Sequence, residues 1–164
     1  MAQAARAWGR LIAVQISARA DYAVRAAVAL AVAYPRTVSA QALAAEQELP
    51  RKFLETILAD LRRTGLVQST RGVDGGYALS RPPAEIHVGD VLRAVDGPLA
   101  GVRGMRPEET SYNGSAAHLQ DLWIAVRAAV RRVLDEVTLA EVAKGRLPAH
   151  VRRLIADSAA WKPR

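Results

Sequence analysis

The sequence predicts a mainly α-helical fold with one small β-hairpin, arranged as a winged helix-turn-helix followed by a long dimerisation helix. Three observations support this fold class. A glycine-rich turn separates two short β-prone segments within residues 66–83, and an apolar pattern with i, i+3, i+4 spacing precedes them over residues 50–63. A longer apolar stripe of helical period follows over residues 116–137.

The composition limits the kinds of protein that this chain can be. Its 164 residues are enough for one domain with a proper core, and 51% of them are hydrophobic, which argues against disorder. A formal net charge of +7 favours polyanionic partners, because basic side chains release counterions when they bind a nucleic acid. The longest uncharged apolar run, residues 26–34, is too short to span a bilayer, so we expect a cytoplasmic protein with no membrane partner.

The sequence shows no pattern of catalytic or metal-binding residues. There is no cysteine, which excludes disulfides, catalytic thiolates and thiolate metal ligands. His87, His118 and His150 are scattered without ligand spacing, and we expect each to be a solvated side chain. We therefore expect neither an enzyme, nor a metal site, nor a cofactor.

The chain begins with an extension and two capped helices. Residues 1–13 have no apolar stripe, and we expect folding and dimerisation not to need them. Ser17 suits the N-cap of a helix that stops before Pro35, and Ser39 suits the N-cap of a second helix through about Gln47. The side chains expected to face inward are Tyr22, Ala23, Ala26, Ala27 and Leu30 in the first helix, and Leu43 and Ala44 in the second.

A third helix and a hairpin follow. Pro50 suits the first position of that helix. Its expected buried face consists of Phe53, Leu54, Ile57, Leu58 and Leu61, and its outer face of Arg51, Lys52, Glu55, Thr56 and Arg63. Asp74-Gly75-Gly76 supplies the positive φ angles of a tight reversal, and Arg71 precedes the turn, so its guanidinium is expected at the tip. A helix followed by such a wing predicts DNA binding, with the helix in the major groove.

The second half contains a short helix over residues 88–95 and then a glycine-rich irregular loop that reaches residue 116. The long helix over residues 116–137 lies outside the compact unit, and a second copy of the chain is the simplest partner for its apolar stripe. The residues expected in the dimer interface are Leu119, Leu122, Trp123, Val126, Val130, Val133, Leu134 and Val137. Thr138-Leu139-Ala140-Glu141 then resembles a capping box that opens a short helix.

These elements predict four parts of the chain. They are the extension (1–13), the winged helix-turn-helix domain (14–83), a short helix with a loop in a sensor position (84–115), and the dimerisation helix with the C-terminal segment (116–164).

Several signals also have simpler explanations. Arg62 and Arg63 at a helix end could only offset the helix dipole, whereas Arg51 and Lys52 at a helix start oppose the dipole and favour an anionic partner. The glycines of the hairpin could suggest a phosphate loop, but the Lys-Ser/Thr pair of such a loop is missing and no helix follows directly.

Four segments resemble the Rrf2 family of bacterial transcription regulators. They read VQISARADYAVRAAVAL, LPRKFLETILADLRRTGLVQSTRGVDGGYALSRPP, IHVGDVLRAVDGP and HLQDLW, and the similarity runs from about Val14 to Val142. The resemblance implies a homodimer with a winged helix-turn-helix and a long dimerisation helix. It also implies the DNA contacts, namely Pro50, Arg51, Lys52, Glu55 and Thr56 at the start of the recognition helix, Arg71 and Gly72 on the wing, and Arg19 and Tyr22 near the phosphate backbone.

The chain departs from the family in its loop. Members that bind an iron–sulfur cluster carry three cysteines in the loop that matches residues 99–117, where this chain has none. An ordinary cluster therefore cannot form by the family route. The effector, if there is one, is then a small molecule or a protein partner.

The sequence thus predicts a homodimeric transcription regulator, a repressor of a pseudo-palindromic operator that works without an iron–sulfur cluster. The alternative is a protein-interaction module whose basic surface binds an acidic partner.

Overall fold

A computed structural model describes residues 15–163, so the predicted extension at residues 1–13 lies outside the described residues. The helices are α1 (Ala18–Ala33), α2 (Ala40–Gln47), α3 (Arg51–Arg63), α4 (Val88–Asp96), α5 (Leu119–Leu134), α6 (Leu139–Ala143) and α7 (Ala149–Ala156). Two strands, β1 (Val67–Thr70) and β2 (Gly76–Leu79), form an antiparallel hairpin. The predicted fold class, mainly helical with a β-hairpin wing, is confirmed. Within the described range, no helix has the length and apolar character needed to cross a membrane.

The predicted N-caps of the first two helices are present. The Ser17 hydroxyl accepts a hydrogen bond from the Ala20 N–H at 2.9 Å, and the Ser39 hydroxyl accepts one from the Ala42 N–H at 3.1 Å. Pro50 occupies the N-cap position of α3 rather than its first helical position, so that helix begins one residue later than predicted.

The core is centred on α1, which packs against α2, α3, α4, α6 and β2. Its buried face is almost entirely alanine, and these short side chains let the neighbouring helices approach closely. Four of the five residues predicted to form the inner face of α3 are fully buried: Leu54, Ile57, Leu58 and Leu61. The prediction for the fifth, Phe53, is wrong, because its side chain remains 36% exposed and packs edge-on against the Tyr22 ring at 5.7 Å.

The wing is fixed to the helical domain by a bridge that the sequence did not predict. Val38, between α1 and α2, pairs with Tyr77 of β2 through two backbone hydrogen bonds of 2.8 Å each. Gly76 permits this close approach, because a Cβ at that position would lie 2.5 Å from the Val38 carbonyl oxygen. The two-stranded wing is therefore attached to the segment between α1 and α2 as well as to α3.

The chain returns to the same core after α5. The Val88 N–H donates to the Val137 carbonyl and the Leu139 N–H donates to the Ile86 carbonyl, both at 2.9 Å. Leu139 of α6 is fully buried and Val151 of α7 is 7% exposed, and both belong to one continuous core cluster with α1 and α3. The core is thus not confined to residues 14–83.

The long helix is shorter than predicted. It spans Leu119–Leu134 instead of residues 116–137, because residues 114–116 form a separate 3₁₀ turn and the chain leaves the helix after Leu134. Val137 consequently lies outside the helix and is only 5% exposed in the core of its own chain. The prediction that Val137 belongs to the intersubunit stripe is therefore wrong.

The predicted capping box at the start of α6 is confirmed. The Thr138 hydroxyl accepts from the Glu141 N–H at 3.2 Å, and the Glu141 carboxylate accepts from the Thr138 N–H at 2.8 Å. This backbone hydrogen bond from Thr138 is the main reason why the pKa of Glu141 lies below its ordinary value.

We expect Thr138→Ala to lower the free energy of unfolding by about 1 kcal/mol, since the cap orients Leu139 into the core. Urea denaturation at pH 7 measures this change, and Ser111→Ala, in an exposed loop, is the matched control.

The pKa of Glu141 is lowered on folding, so the Glu141 carboxylate contributes fully to the free energy of unfolding above the unfolded-state pKa of about 4.3. This contribution is lost as the pH falls through the folded-state pKa. The stability difference between wild type and Glu141→Ala should therefore narrow below about pH 4. A difference that does not change with pH would contradict this account of the cap.

Candidate nucleic-acid interface

The first two turns of α3 present the polar side chains that were predicted to contact DNA. Arg51, Lys52 and Thr56 are exposed and Glu55 is half-buried. Arg51 Nε lies 2.9 Å from Glu55 Oε1, so these two side chains hold one another along the helix. Lys52 forms no ion pair within residues 15–163. Pro50 provides no side-chain cap, so the backbone N–H groups at this helix start can meet a phosphate.

The wing tip adds a second cationic position. Arg71 and Gly72 are exposed at the turn, and Gly72 has a φ of 113°, a conformation that side chains rarely adopt. Arg71, like Lys52, has no ion-pair partner in the described part of the chain. Val73 follows and is fully exposed, so the tip combines a cation with an apolar side chain. Sequence reasoning missed Val73, although its position between Gly72 and Asp74 marks it as a tip residue.

Arg19 and Tyr22 of α1, which were predicted to lie near the DNA phosphate backbone, have partners within the chain. Arg19 forms an ion pair with Asp60 of α3, which also binds Arg63 at 2.8 Å. This pair joins α1 to α3, and the Arg19 side chain remains one-third exposed. Tyr22 is half-buried between the Phe53 ring and the Arg25 guanidinium, which lies 5.5 Å from its ring centroid.

These contacts hold the candidate DNA-binding elements in one arrangement. Tyr22 and Arg19 place the N-terminal half of α1 beside α3. Arg62, at the end of α3, donates to the Ser69 hydroxyl of β1 at 3.1 Å and so ties the helix to the wing. The wing and the helix are therefore held in position by α1, by Val38 and by Arg62 before any DNA is bound, which lowers the ordering cost of binding.

The candidate dimer surface is the apolar side of α5. No residue of this helix is fully buried in the described structure, and Leu122 is 51% exposed. Val133 and Leu134 at the C-terminal end pack partly on the core of their own chain. The other predicted interface residues of the helix are half-buried: Leu119, Trp123, Val126 and Val130.

The predicted irregular loop after α4 contains short turns and no long element. Pro107–Glu109 forms a 3₁₀ turn that packs against α5, and Gln120 of α5 donates to the carbonyls of Glu108 and Thr110. The loop and α5 enclose a cavity with α4. No group of three or more histidine, aspartate or glutamate side chains within residues 15–163 is arranged to hold a metal ion.

Comparison with known proteins gives concordant matches. The Rrf2 family model, described as an iron-dependent transcriptional regulator, matches residues 16–145. A Mycobacterium tuberculosis H37Rv protein, provisionally named an HTH-type transcriptional regulator, is 51% identical over 144 residues, covering 87% of this chain and 89% of the relative. The HTH-type transcriptional regulator CymR of Bacillus subtilis is 34% identical and is matched over 79% of this chain and 89% of its own length.

Solved structures agree with these sequence matches. The structure of CymR, described as the global cysteine regulator of B. subtilis, superposes with a TM-score of 0.69 at 34% identity, covering 79% of this chain and 96% of CymR. IscR of T. potens superposes with a TM-score of 0.66 at 33% identity, covering 80% of this chain and 87% of that protein.

Proposed function

Because the chain belongs to the Rrf2 family of transcriptional regulators, we propose that it acts in the cytoplasm as a homodimeric repressor of a pseudo-palindromic operator. One observation carries this proposal. Two cations without ion-pair partners among the described residues, Lys52 and Arg71, stand at the start of α3 and at the wing tip, on elements that internal contacts hold together. Such a pair of elements is suited to contact two neighbouring grooves of one DNA half-site.

Four of the predicted contact residues have a specific chemical role in this proposal. Arg51 and Lys52 bind phosphates or base edges, and the helix start adds backbone N–H donors. Glu55 accepts a hydrogen bond from a cytosine amino group, with Arg51 fixing the orientation of its carboxylate. Arg71 enters or borders the minor groove, where the negative potential is strongest at narrow sites.

The second half of the proposal is the dimer. The 16-residue helix α5 has an apolar side and no fully buried residue, and exposed apolar surface of this kind marks an interaction site. A second α5 packed around a two-fold axis would cover it and would set the distance between the two recognition helices.

The residues of the loop after α4 do not fit the iron–sulfur cluster that the family description suggests. Thiolates are the preferred ligands of such clusters, and the sequence contains no cysteine. The charged side chains that the loop supplies are Arg103, Arg106, Glu108 and Glu109. Regulation is therefore proposed to work without a cluster, through a small molecule or a protein effector.

The test is a comparison of specific and random DNA. The operator is mapped from DNA bound to the protein in cells, and a duplex of that sequence is titrated beside a random duplex of equal length at the same salt concentration. We expect the operator to bind at least about 10³-fold more tightly. Equal affinity for the two duplexes would contradict the proposal and favour the alternative of a basic surface that binds an acidic protein.

A further inference from the structure

A cavity of about 380 Å³ lies between α4, the loop that follows it and α5. Four arginines line it: Arg93 from α4, Arg106 from the loop, and Arg127 and Arg131 from α5. Glu108 is the one carboxylate among the described lining residues. Cavities of this order hold small metabolites.

Two of the four arginines are neutralised by the chain itself. Arg127 forms an ion pair with Glu108. Arg93 donates to both carboxylate oxygens of Asp135 at 2.6 Å, and Asp135 lies outside the lining. Arg106 and Arg131 form no ion pair within residues 15–163. Arg93 also lies 3.8 Å from a carboxylate oxygen of Asp90, so the excess positive charge of the lining resides in Arg106 and Arg131.

The chemistry of these side chains selects the kind of ligand. A guanidinium presents a planar fork of N–H donors that matches a carboxylate or a phosphate, and such charge-assisted pairs are stronger where water is partly excluded. The lining already accepts one carboxylate, since Glu108 docks on Arg127. The pKa of Glu108 lies below its ordinary value, chiefly because its own backbone N–H donates to the carboxylate, with further lowering by Arg127 and Arg106.

We propose that this cavity binds a small dianion, a molecule that carries either a phosphate group or two carboxylates, with Arg106 and Arg131 as its principal contacts. A half-open cavity between two helices and a loop admits a compact anion more readily than the rigid backbone of a duplex. Together with the proposed function, on which this step rests, the inference makes the dianion the effector of the regulator. Arg93 also lines a second cavity beside Thr64 and Leu66, where α3 meets the wing, so it connects the anion site to the DNA-binding elements.

The test uses the full chain without DNA, so that its outcome is independent of the repressor proposal. Inorganic phosphate and succinate are titrated separately by calorimetry, with chloride at matched ionic strength as the reference. The double variant Arg106→Gln/Arg131→Gln removes both contacts. The control variant Arg103→Gln/Arg132→Gln removes two charges from the same loop and the same helix without touching the lining. Sedimentation confirms that all samples have the same oligomeric state.

We expect saturable binding of phosphate or succinate at one site per chain, weakened at least about tenfold in the Arg106/Arg131 variant and unchanged in the control. The anion whose titration saturates shows whether the site prefers a phosphate group or two carboxylates. The proposal is overturned if neither anion saturates, or if both double variants weaken binding equally, since the attraction would then be a general effect of charge. It is equally overturned if the Arg106/Arg131 variant retains full anion affinity, because these two arginines would then not be the contacts of the anion.

Discussion

Replacing Val130 by aspartate should convert the protein from a dimer to a monomer or an aggregate at tens of micromolar. Val130 lies in the C-terminal half of α5 and is half-buried in the monomer, on the apolar side of a helix that has no fully buried residue. In a two-fold dimer each interface would receive two unpaired carboxylates, and burying each one without a partner costs several kcal/mol. The dissociation constant should therefore rise by several orders of magnitude.

The helix offers a matched control for this change. Position 128 lies two residues from position 130, about 200° around the helix, and Ala128 is exposed. Ala128→Asp introduces the same charge on the opposite side and should leave the dimer intact. Analytical ultracentrifugation measures the oligomeric state of the wild type and of both variants. A wild-type protein that sediments as a monomer at tens of micromolar would refute the dimer, and equal effects of the two variants would remove α5 from the interface.

Loss of the dimer should also weaken operator binding. Two recognition helices on one rigid dimer bind the second half-site as an intramolecular event, which raises affinity without any new contact. The Val130→Asp protein should therefore bind a full operator no more tightly than a single half-site.

Arg71→Ala should cost about 1–3 kcal/mol on the mapped operator, which corresponds to an affinity loss of roughly 5- to 150-fold. The side chain is exposed at the wing tip and has no ion-pair partner among residues 15–163, so its removal breaks no ion pair of the described fold.

Lys52→Ala should have a different effect on DNA binding. It should weaken operator and random DNA about equally and reduce the salt dependence of binding by about one unit, as expected for a phosphate contact.

Arg153→Ala is the control for both substitutions, because it removes an exposed positive charge from α7, outside the helix-turn-helix and the wing. Fluorescence anisotropy with operator and random duplexes at two salt concentrations separates the three variants. If Arg153→Ala weakens operator binding as much as Arg71→Ala, the effect is due to net charge and the wing contact is refuted.

The features that the sequence predicted correctly depend on short-range chemistry. The N-caps at Ser17 and Ser39 and the box from Thr138 to Glu141 are satisfied by hydrogen bonds that span three residues. The wing followed from its turn residues for the same reason. These signals are contained in a few adjacent residues, so no knowledge of the tertiary structure was needed.

The features that the sequence did not predict depend on distant parts of the chain. The bridge between Val38 and Tyr77 spans 39 residues. Phe53 has the correct spacing for the buried face of α3, but its ring packs edge-on against the Tyr22 ring and stays partly exposed. Val137 continues the apolar periodicity of α5, yet its carbonyl pairs with Val88 and draws it into the core. Periodicity describes which side chains are apolar and does not say which surface covers them.

The candidate site shows the same division. The pair between Arg51 and Glu55 has the i, i+4 spacing that a helix brings together, and it could have been predicted. The pair between Arg19 and Asp60 is separated by 41 residues and carries no local signal. The arginines of the cavity come from three separate elements, so their clustering could only emerge from the folded chain.

The return of the chain to its first core after α5 has a consequence for the order of events during synthesis. Leu139 and Val151 are required to close the hydrophobic cluster around α1 and α3. A nascent chain that has emerged only as far as the wing therefore exposes apolar surface that nothing yet covers. Residues 15–83 reach their mature stability only once α6 and α7, which carry Leu139 and Val151, have also left the ribosome. A product truncated after the wing is therefore expected to be unstable and not to compete for the operator.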